Sequence, residues 1–164
     1  ILKGKTTVDS YVPDDLSLIE DLPRYTYFLY LREEAYQALK EMCHAYESIS
    51  DFVPYYIRSA YKSYESVLVE NEQQAGHLEE QLGMTVSFQV TNLAVEDFEN
   101  APFFTWLEKN AYQYGFILRY PKDKSEETGR EYNANTYRYV GKEIAKEMHD
   151  LNYKTLEEYV SKKK

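Results

Sequence analysis

Three histidines and one cysteine are the residues of this chain best suited to metal or nucleophilic chemistry. Cys43 and His44 are adjacent, which invites a thiol–imidazole pair. They lie, however, within residues 32–47, where Ala35, Ala38, Leu39, Met42 and Tyr46 recur at helical spacing. Neighbours in sequence do not face each other on a helix. A packed thiol beside a boundary imidazole is therefore expected. His77, Glu79 and Glu80 carry the donor types of a metal site, but no second histidine lies nearby in sequence. His77 is expected on a surface loop. His149 sits beside the apolar face of a later helix and reads as a half-exposed boundary residue. No Ser-His-Asp or Cys-His arrangement is evident, so an activated side-chain nucleophile is not supported.

The elements that must position these groups follow from hydrophobic periodicity. Residues 84–90 alternate Met84, Val86, Phe88 and Val90 with Thr85, Ser87 and Gln89, which predicts a strand with one buried and one polar face. Residues 52–59 and 114–120 also read as strands. Helices are predicted over 32–47, 63–74, within 97–112 (with Phe103, Trp106, Leu107 and Ala111 inward) and over 140–151 (with Ile144, Ala145 and Met148 inward). Thr155 with Glu158 fits a capping box that opens a short last helix. Residues 122–130 read as an exposed loop. Helices and strands alternate without a βαβ repeat, so the expected class is α+β with a mainly antiparallel sheet flanked by helices.

With 164 residues and no repeat or low-complexity linker, one domain is expected. Residues 1–24, containing Pro13 and Pro23, read as an extended lead-in packed on a domain formed by 25–164. The net charge of -9 argues against a nucleic-acid partner, because an acidic surface is repelled by phosphates. No stretch is long and apolar enough to span a bilayer. A secretion signal or membrane anchor, where present, would lie upstream of Ile1. The single cysteine cannot form an intramolecular disulfide. Eighteen tyrosines could build a peptide- or sugar-binding surface. The plainer expectation is core and sheet rings with their hydroxyls at the boundary.

Three stretches, in order, resemble the VanY-type D,D-carboxypeptidases, zinc peptidases related to the Hedgehog signalling domain. Ile57-Arg-Ser-Ala-Tyr-Lys-Ser-Tyr-Glu65 is similar to the family's S-x-Y-R-S-Y-x-x-Q segment. Gly76-His-Leu-Glu-Glu-Gln-Leu-Gly-Met-Thr-Val-Ser87 resembles G-x-S-E-H-Q-T-G-L-A-V-D. The third runs from Trp106 through Tyr114-Gly-Phe-Ile-Leu-Arg-Tyr-Pro121 and Thr128-Gly129 to Tyr139-Val-Gly141. It is similar to W-L-x-x-N-A-x-x-Y-G-F-I-x-R-Y-P, then T-G, then E-P-W-H-x-R-Y-V-G. The resemblance implies the Hedgehog/D,D-peptidase fold and action on the bacterial cell wall.

It also implies a zinc held by His and Asp from the second segment and His from the third, with a Glu as general base. Three protein ligands leave a position for water. The metal lowers that water's pKa from roughly 16 to about 7, and the carboxylate takes its proton. In this chain Glu80 stands at the first His, Ser87 at the Asp, Asn133 at the general base and Thr136 at the second His. Glu79 matches a family position that is not a ligand. Lys62 replaces an Arg and loses the planar fork that grips a carboxylate. Val67 replaces a Gln, Leu78 a Ser, and Ala134-Asn135 the Pro-Trp pair.

The expectation is a pseudoenzyme without zinc or catalytic residues. Its candidate cleft residues are Ser59, Tyr61, Lys62, Ser63, Glu80, Ser87, Asn133, Thr136 and Arg138. The expected partner is a peptide, a peptidoglycan fragment or a protein, outside the cytoplasm at the cell envelope of a bacterium. Two alternatives stand beside it. One is an active D,D-carboxypeptidase with a relocated metal site. The other is an interaction module whose cleft is plugged, with Tyr137 and the Leu82–Met84 region as the filling side chains.

Overall fold

The computed structural model describes residues 1–6 and 11–164. Its centre is a four-stranded antiparallel sheet of β3 (Tyr55–Ser59), β4 (Thr85–Val90), β6 (Asn133–Tyr139) and β5 (Phe116–Tyr120), in the order β3-β4-β6-β5. A two-stranded antiparallel sheet, β1 (Leu16–Leu18) with β2 (Tyr30–Arg32), lies outside it. The expected α+β class with an antiparallel sheet is found.

One face of the large sheet is apolar because the strands alternate. Tyr55, Ile57, Val86, Phe88, Val90, Phe116, Tyr137 and Tyr139 are all buried in one core. Helix α1 (Glu33–Glu47) supplies Ala35, Leu39, Met42 and Tyr46 to that core, as its periodicity requires. Helix α3 (Pro102–Asn110) supplies Phe103 and Leu107. The rings interlock: Tyr46 stacks on Phe103 at 4.3 Å, and Phe88 meets Phe103 edge-on at 5.1 Å. The Tyr46 hydroxyl lies at the core boundary, donating to Val53 O at 3.2 Å and accepting from Val53 N at 2.8 Å. Cys43 is buried within this layer, and burial pushes its thiol up to about 12, so it is inert. His44 points to solvent.

Several boundaries differ from the sequence reading. The predicted helix 63–74 is α2 (Tyr64–Glu70), capped by Ser63, followed by a separate 3-10 turn, Glu72–Gln74. Within the predicted exposed loop 122–130, Ser125–Thr128 forms one helical turn, α4. Helices α5 (Lys142–Asp150) and α6 (Leu156–Lys162) lie where expected. At α6, Thr155 Oγ accepts from Glu158 N at 3.0 Å. The Glu158 carboxylate, however, takes the N–H of Lys154 rather than of Thr155, so the capping box is only half formed. Strands β2 and β6 were not expected. Strand β6 begins Asn-Ala-Asn, a composition poor in strand formers. It forms because Tyr137 and Tyr139 alternate into the core beside β4 and β5.

The lead-in is partly structural. Its β1 pairs with β2, and Ile19 and Leu22 enter the core. Gly83, with φ of +69°, ends the 3-10 turn before β4 against Arg32, Leu16 and Pro13; a Cβ would sit 3.0 Å from Arg32 Cγ. Its carbonyl accepts from Arg32 N at 2.8 Å, which ties this turn to the start of α1.

Candidate functional site

The second face of the sheet is polar, and it is closed rather than open. Thr85, Ser87 and Gln89 are as buried as their apolar neighbours, so β4 is covered on both sides. Across this face Ser59 lies opposite Ser87, and Ser87 opposite Thr136. Three hydroxyls therefore form a row over β3, β4 and β6. Ser59 Oγ and Ser87 Oγ are 2.5 Å apart. Ser87 and Thr136 are 9% and 5% exposed.

Asn133 opens β6, its side-chain oxygen accepting from Asn135 N at 3.0 Å. Asn135 donates to Phe88 O at 2.8 Å and ties β6 to β4. Lys62 N donates to Glu80 O at 3.2 Å, which brings the segment after β3 against the 3-10 turn Glu79–Leu82. The Lys62 ammonium is turned to Glu70, at 3.1 Å. Tyr61 is half-buried, and Ser63 is occupied as the cap of α2, accepting from Ser66 N at 3.1 Å. Burial pushes the Glu80 carboxyl above its ordinary value; Glu79 adds to the rise, and Lys62 and Arg130 oppose it. Glu80 forms no ion pair among the described residues.

Two places further along the same face the chemistry changes. Arg138 lies opposite Thr85 on one side and Ile117 on the other. It does not reach the hydroxyl row: its guanidinium donates to Glu79 at 3.2 Å and to Tyr139 O at 3.0 Å. Glu79, 1% exposed, also accepts from Arg119 Nε at 2.6 Å and Thr85 Oγ1 at 3.3 Å, and the Ile1 nitrogen reaches it too. Arg119, 0% exposed, makes a fork to Glu157 at 2.7 and 3.0 Å. Burial alone would raise the Glu79 carboxyl. The charges of Arg119 and Arg138 oppose that, and the carboxyl is held below the usual carboxylate range.

The cluster of His77, Glu79 and Glu80 thus does not converge on a metal position. Glu79 is consumed by arginines, while His77 is exposed. Among the described residues no group of three His, Cys, Asp or Glu could hold a metal. Tyr137 does not plug the cleft either. It lies on the opposite face, 1% exposed, with its ring 5.8 Å from Phe88. Met84 turns away to Arg138. The sequence reading missed Arg119 and Glu157. The available signal was an arginine inside an otherwise uncharged strand, which demands a buried carboxylate.

An antiparallel sheet with a helical layer on one face and a buried polar row on the other is the architecture expected of a Hedgehog/D,D-peptidase-like protein. Comparison with known proteins agrees. A family model described as VanY, D-alanyl-D-alanine carboxypeptidase, matches residues 66–142. A D-alanyl-D-alanine carboxypeptidase of Enterococcus faecium is 34% identical over 140 residues, covering 80% of this chain and 44% of that protein. The putative carboxypeptidase YodJ of Bacillus subtilis (strain 168) is 35% identical over 153 residues, covering 82% of this chain and 55% of YodJ. The chain thus spans about half the length of the curated relatives it matches. The solved LdcB LD-carboxypeptidase superposes with a TM-score of 0.85 at 32% identity, covering 98% of this chain and 84% of that one. The chain belongs to the VanY D-alanyl-D-alanine carboxypeptidase family.

The family's zinc does not fit the residues at hand. Of Glu80, Ser87 and Thr136, only Glu80 offers a charged donor. A serine or threonine hydroxyl must shed a proton of high pKa to ligate zinc, and the Ser87 hydroxyl is already shared with Ser59. Asn133 cannot accept and hold a proton from water.

Proposed function

We propose that this chain is a non-catalytic member of the carboxypeptidase family, which binds a peptide or peptidoglycan fragment at the bacterial cell envelope without zinc. The observation that carries this reading is the row itself. The positions at which the resemblance places the zinc ligands and the general base hold Glu80, Ser87, Thr136 and Asn133, and the pairing of β3, β4 and β6 sets Ser59, Ser87 and Thr136 side by side. Hydroxyl and amide groups in a row suit hydrogen bonding to a peptide backbone once the face is uncovered. Tyr61, Lys62 and Ser63 follow Ser59 at the edge of the row in this reading; Arg138 is withdrawn from it by Glu79. No helix among the described residues is long and apolar enough to cross a membrane.

The test is a nuclear magnetic resonance titration with a synthetic peptide ending in D-Ala-D-Ala, in the presence of a chelator. Shifts at Ser59, Tyr61, Glu80, Ser87 and Thr136, with the peptide intact afterwards, are expected. Peptide cleavage, or no shift at these residues at millimolar peptide, contradicts the reading.

A second reading has its own observation. Ser87 and Thr136 are nearly closed to solvent. If the row is sealed, the family fold serves as an interaction module through another surface, and the titration leaves the row unmoved.

A further inference from the structure

The connection between β1 and β2 puts three aromatic rings into water. Tyr25, Tyr27 and Phe28 are 74%, 77% and 75% exposed, although Leu22 and Leu29 on either side of them are buried. Large rings clustered in solvent on a segment whose ends are pinned mark a binding surface.

The patch is held in place by its backbone and by two ring contacts. Ile57 N donates to Pro23 O at 2.8 Å, and Tyr25 N donates to Ile57 O at 2.9 Å. The segment therefore runs along the outer side of β3, the edge strand of the large sheet. The Tyr25 ring stacks on Tyr56, with centroids 6.2 Å apart and planes 26° from parallel. Arg24 donates to Glu20 O at 2.7 Å and to Leu22 O at 3.3 Å, and its guanidinium lies 5.7 Å from the centre of the Tyr27 ring. Rings fixed before binding lose little freedom when a ligand arrives, which favours association.

The alternation of β3 says which face the patch continues. Tyr55 and Ile57 enter the core, so Tyr56 lies on the other face, opposite Gln89. That is the face of the hydroxyl row. Gln89 is two residues from Ser87 along β4, a separation of roughly 7 Å. Tyr25, stacked on Tyr56, extends this face past the edge of the sheet.

The face of an aromatic ring carries negative charge density. A β-linked pyranose with equatorial substituents offers the complement: a flat face of weakly positive C–H groups, with hydroxyls at its rim that a tyrosine phenol can meet. An anionic lipid surface fits less well, because the net charge of -9 is repelled by its headgroups.

We propose that Tyr25, Tyr27 and Phe28, backed by Tyr56, bind a chain of β-1,4-linked N-acetylated amino sugars by stacking on its pyranose rings. This rests on the reading of the chain as a binder of peptidoglycan fragments, and it assigns the sugar part of the fragment to a surface of its own.

The probe is chitotetraose, a β-1,4-linked N-acetylglucosamine tetramer without peptide, titrated into the full chain and followed by nuclear magnetic resonance. Shifts at Tyr25, Tyr27, Phe28 and Tyr56 are expected, with Thr136 unmoved. Tyr25→Ala and Tyr27→Ala should each weaken binding about fivefold, the worth of roughly one ring contact. Tyr27→Phe keeps the ring and should keep the affinity. All of these variants should melt near the temperature of the parent, because the rings they alter are exposed. The proposal is overturned if chitotetraose shifts none of the patch residues at its solubility limit, or if both alanine variants bind it as well as the parent does. It is equally overturned if the patch responds to phosphatidylglycerol vesicles and not to the sugar. Because the probe carries no peptide, its failure leaves the peptide reading to be decided by the D-Ala-D-Ala titration alone.

Discussion

Glu79 and Glu80 are neighbours in the chain and opposites in the fold. Glu79 lies at one end of the polar face of the sheet, with Arg119 and Arg138 against it. Glu80 is tied by its carbonyl to Lys62 N, forms no ion pair among the described residues and has its carboxyl raised by burial. The first end of this face is a satisfied charge cluster that joins the 3-10 turn, β5, β6 and α6. The second carries the position at which the resemblance places a zinc ligand. The difference teaches that two adjacent carboxylates of one turn can have opposite environments, one held by buried arginines and the other buried without an ion pair among the described residues.

The largest expected effect comes from breaking the cluster. Glu79→Ala leaves Arg119 buried without its nearest counter-charge, and should lower stability by about 3–5 kcal/mol in urea denaturation. A loss below about 1 kcal/mol would mean that Glu157 alone satisfies Arg119. Next in size is a contrast in pH dependence. Glu79 has a carboxyl held below its ordinary 4.5, so its contribution is present above that pH and is lost as pH falls through the lowered value. Glu80 has a raised carboxyl, so stability is fuller below 4.5 and declines as pH rises through the raised value. Glu79→Gln should therefore flatten the acid side of a stability–pH curve and lower stability at pH 7. Glu80→Gln should remove the decline and slightly raise the melting temperature at pH 7. Two variants that behave alike would erase the distinction between the two ends. The smallest effect is expected of Ser87→Ala, which removes the bond to Ser59 and should cost about 1 kcal/mol or less, measured in the same denaturation.

Much of this was legible in the sequence, for identifiable reasons. The alternation of β4 and the helical spacing of α1 each follow one rule of burial, so both elements were found within a residue. The four positions were named from motifs that the resemblance supplies, and the register of β3, β4 and β6 sets three hydroxyls, Ser59, Ser87 and Thr136, side by side. Strand β6 was hidden because Asn133 and Asn135 are poor strand formers, and its pairing is decided by tertiary neighbours. The role of Arg138 was misread for a related reason. Strand spacing gives the face on which a side chain lies, but not that Glu79, from a distant turn, would reach it first. Tyr137 was offered as a cleft-filling side chain in one alternative because it replaces an apolar family position, whereas alternation along β6 places it on the core face.

The most direct measurement is zinc content. The purified protein would be incubated with zinc, desalted and analysed for bound metal, and the same sample assayed for D-Ala release from a peptide ending in D-Ala-D-Ala. The account predicts far less than one zinc per chain and no release. One zinc per chain together with D-Ala release would contradict it.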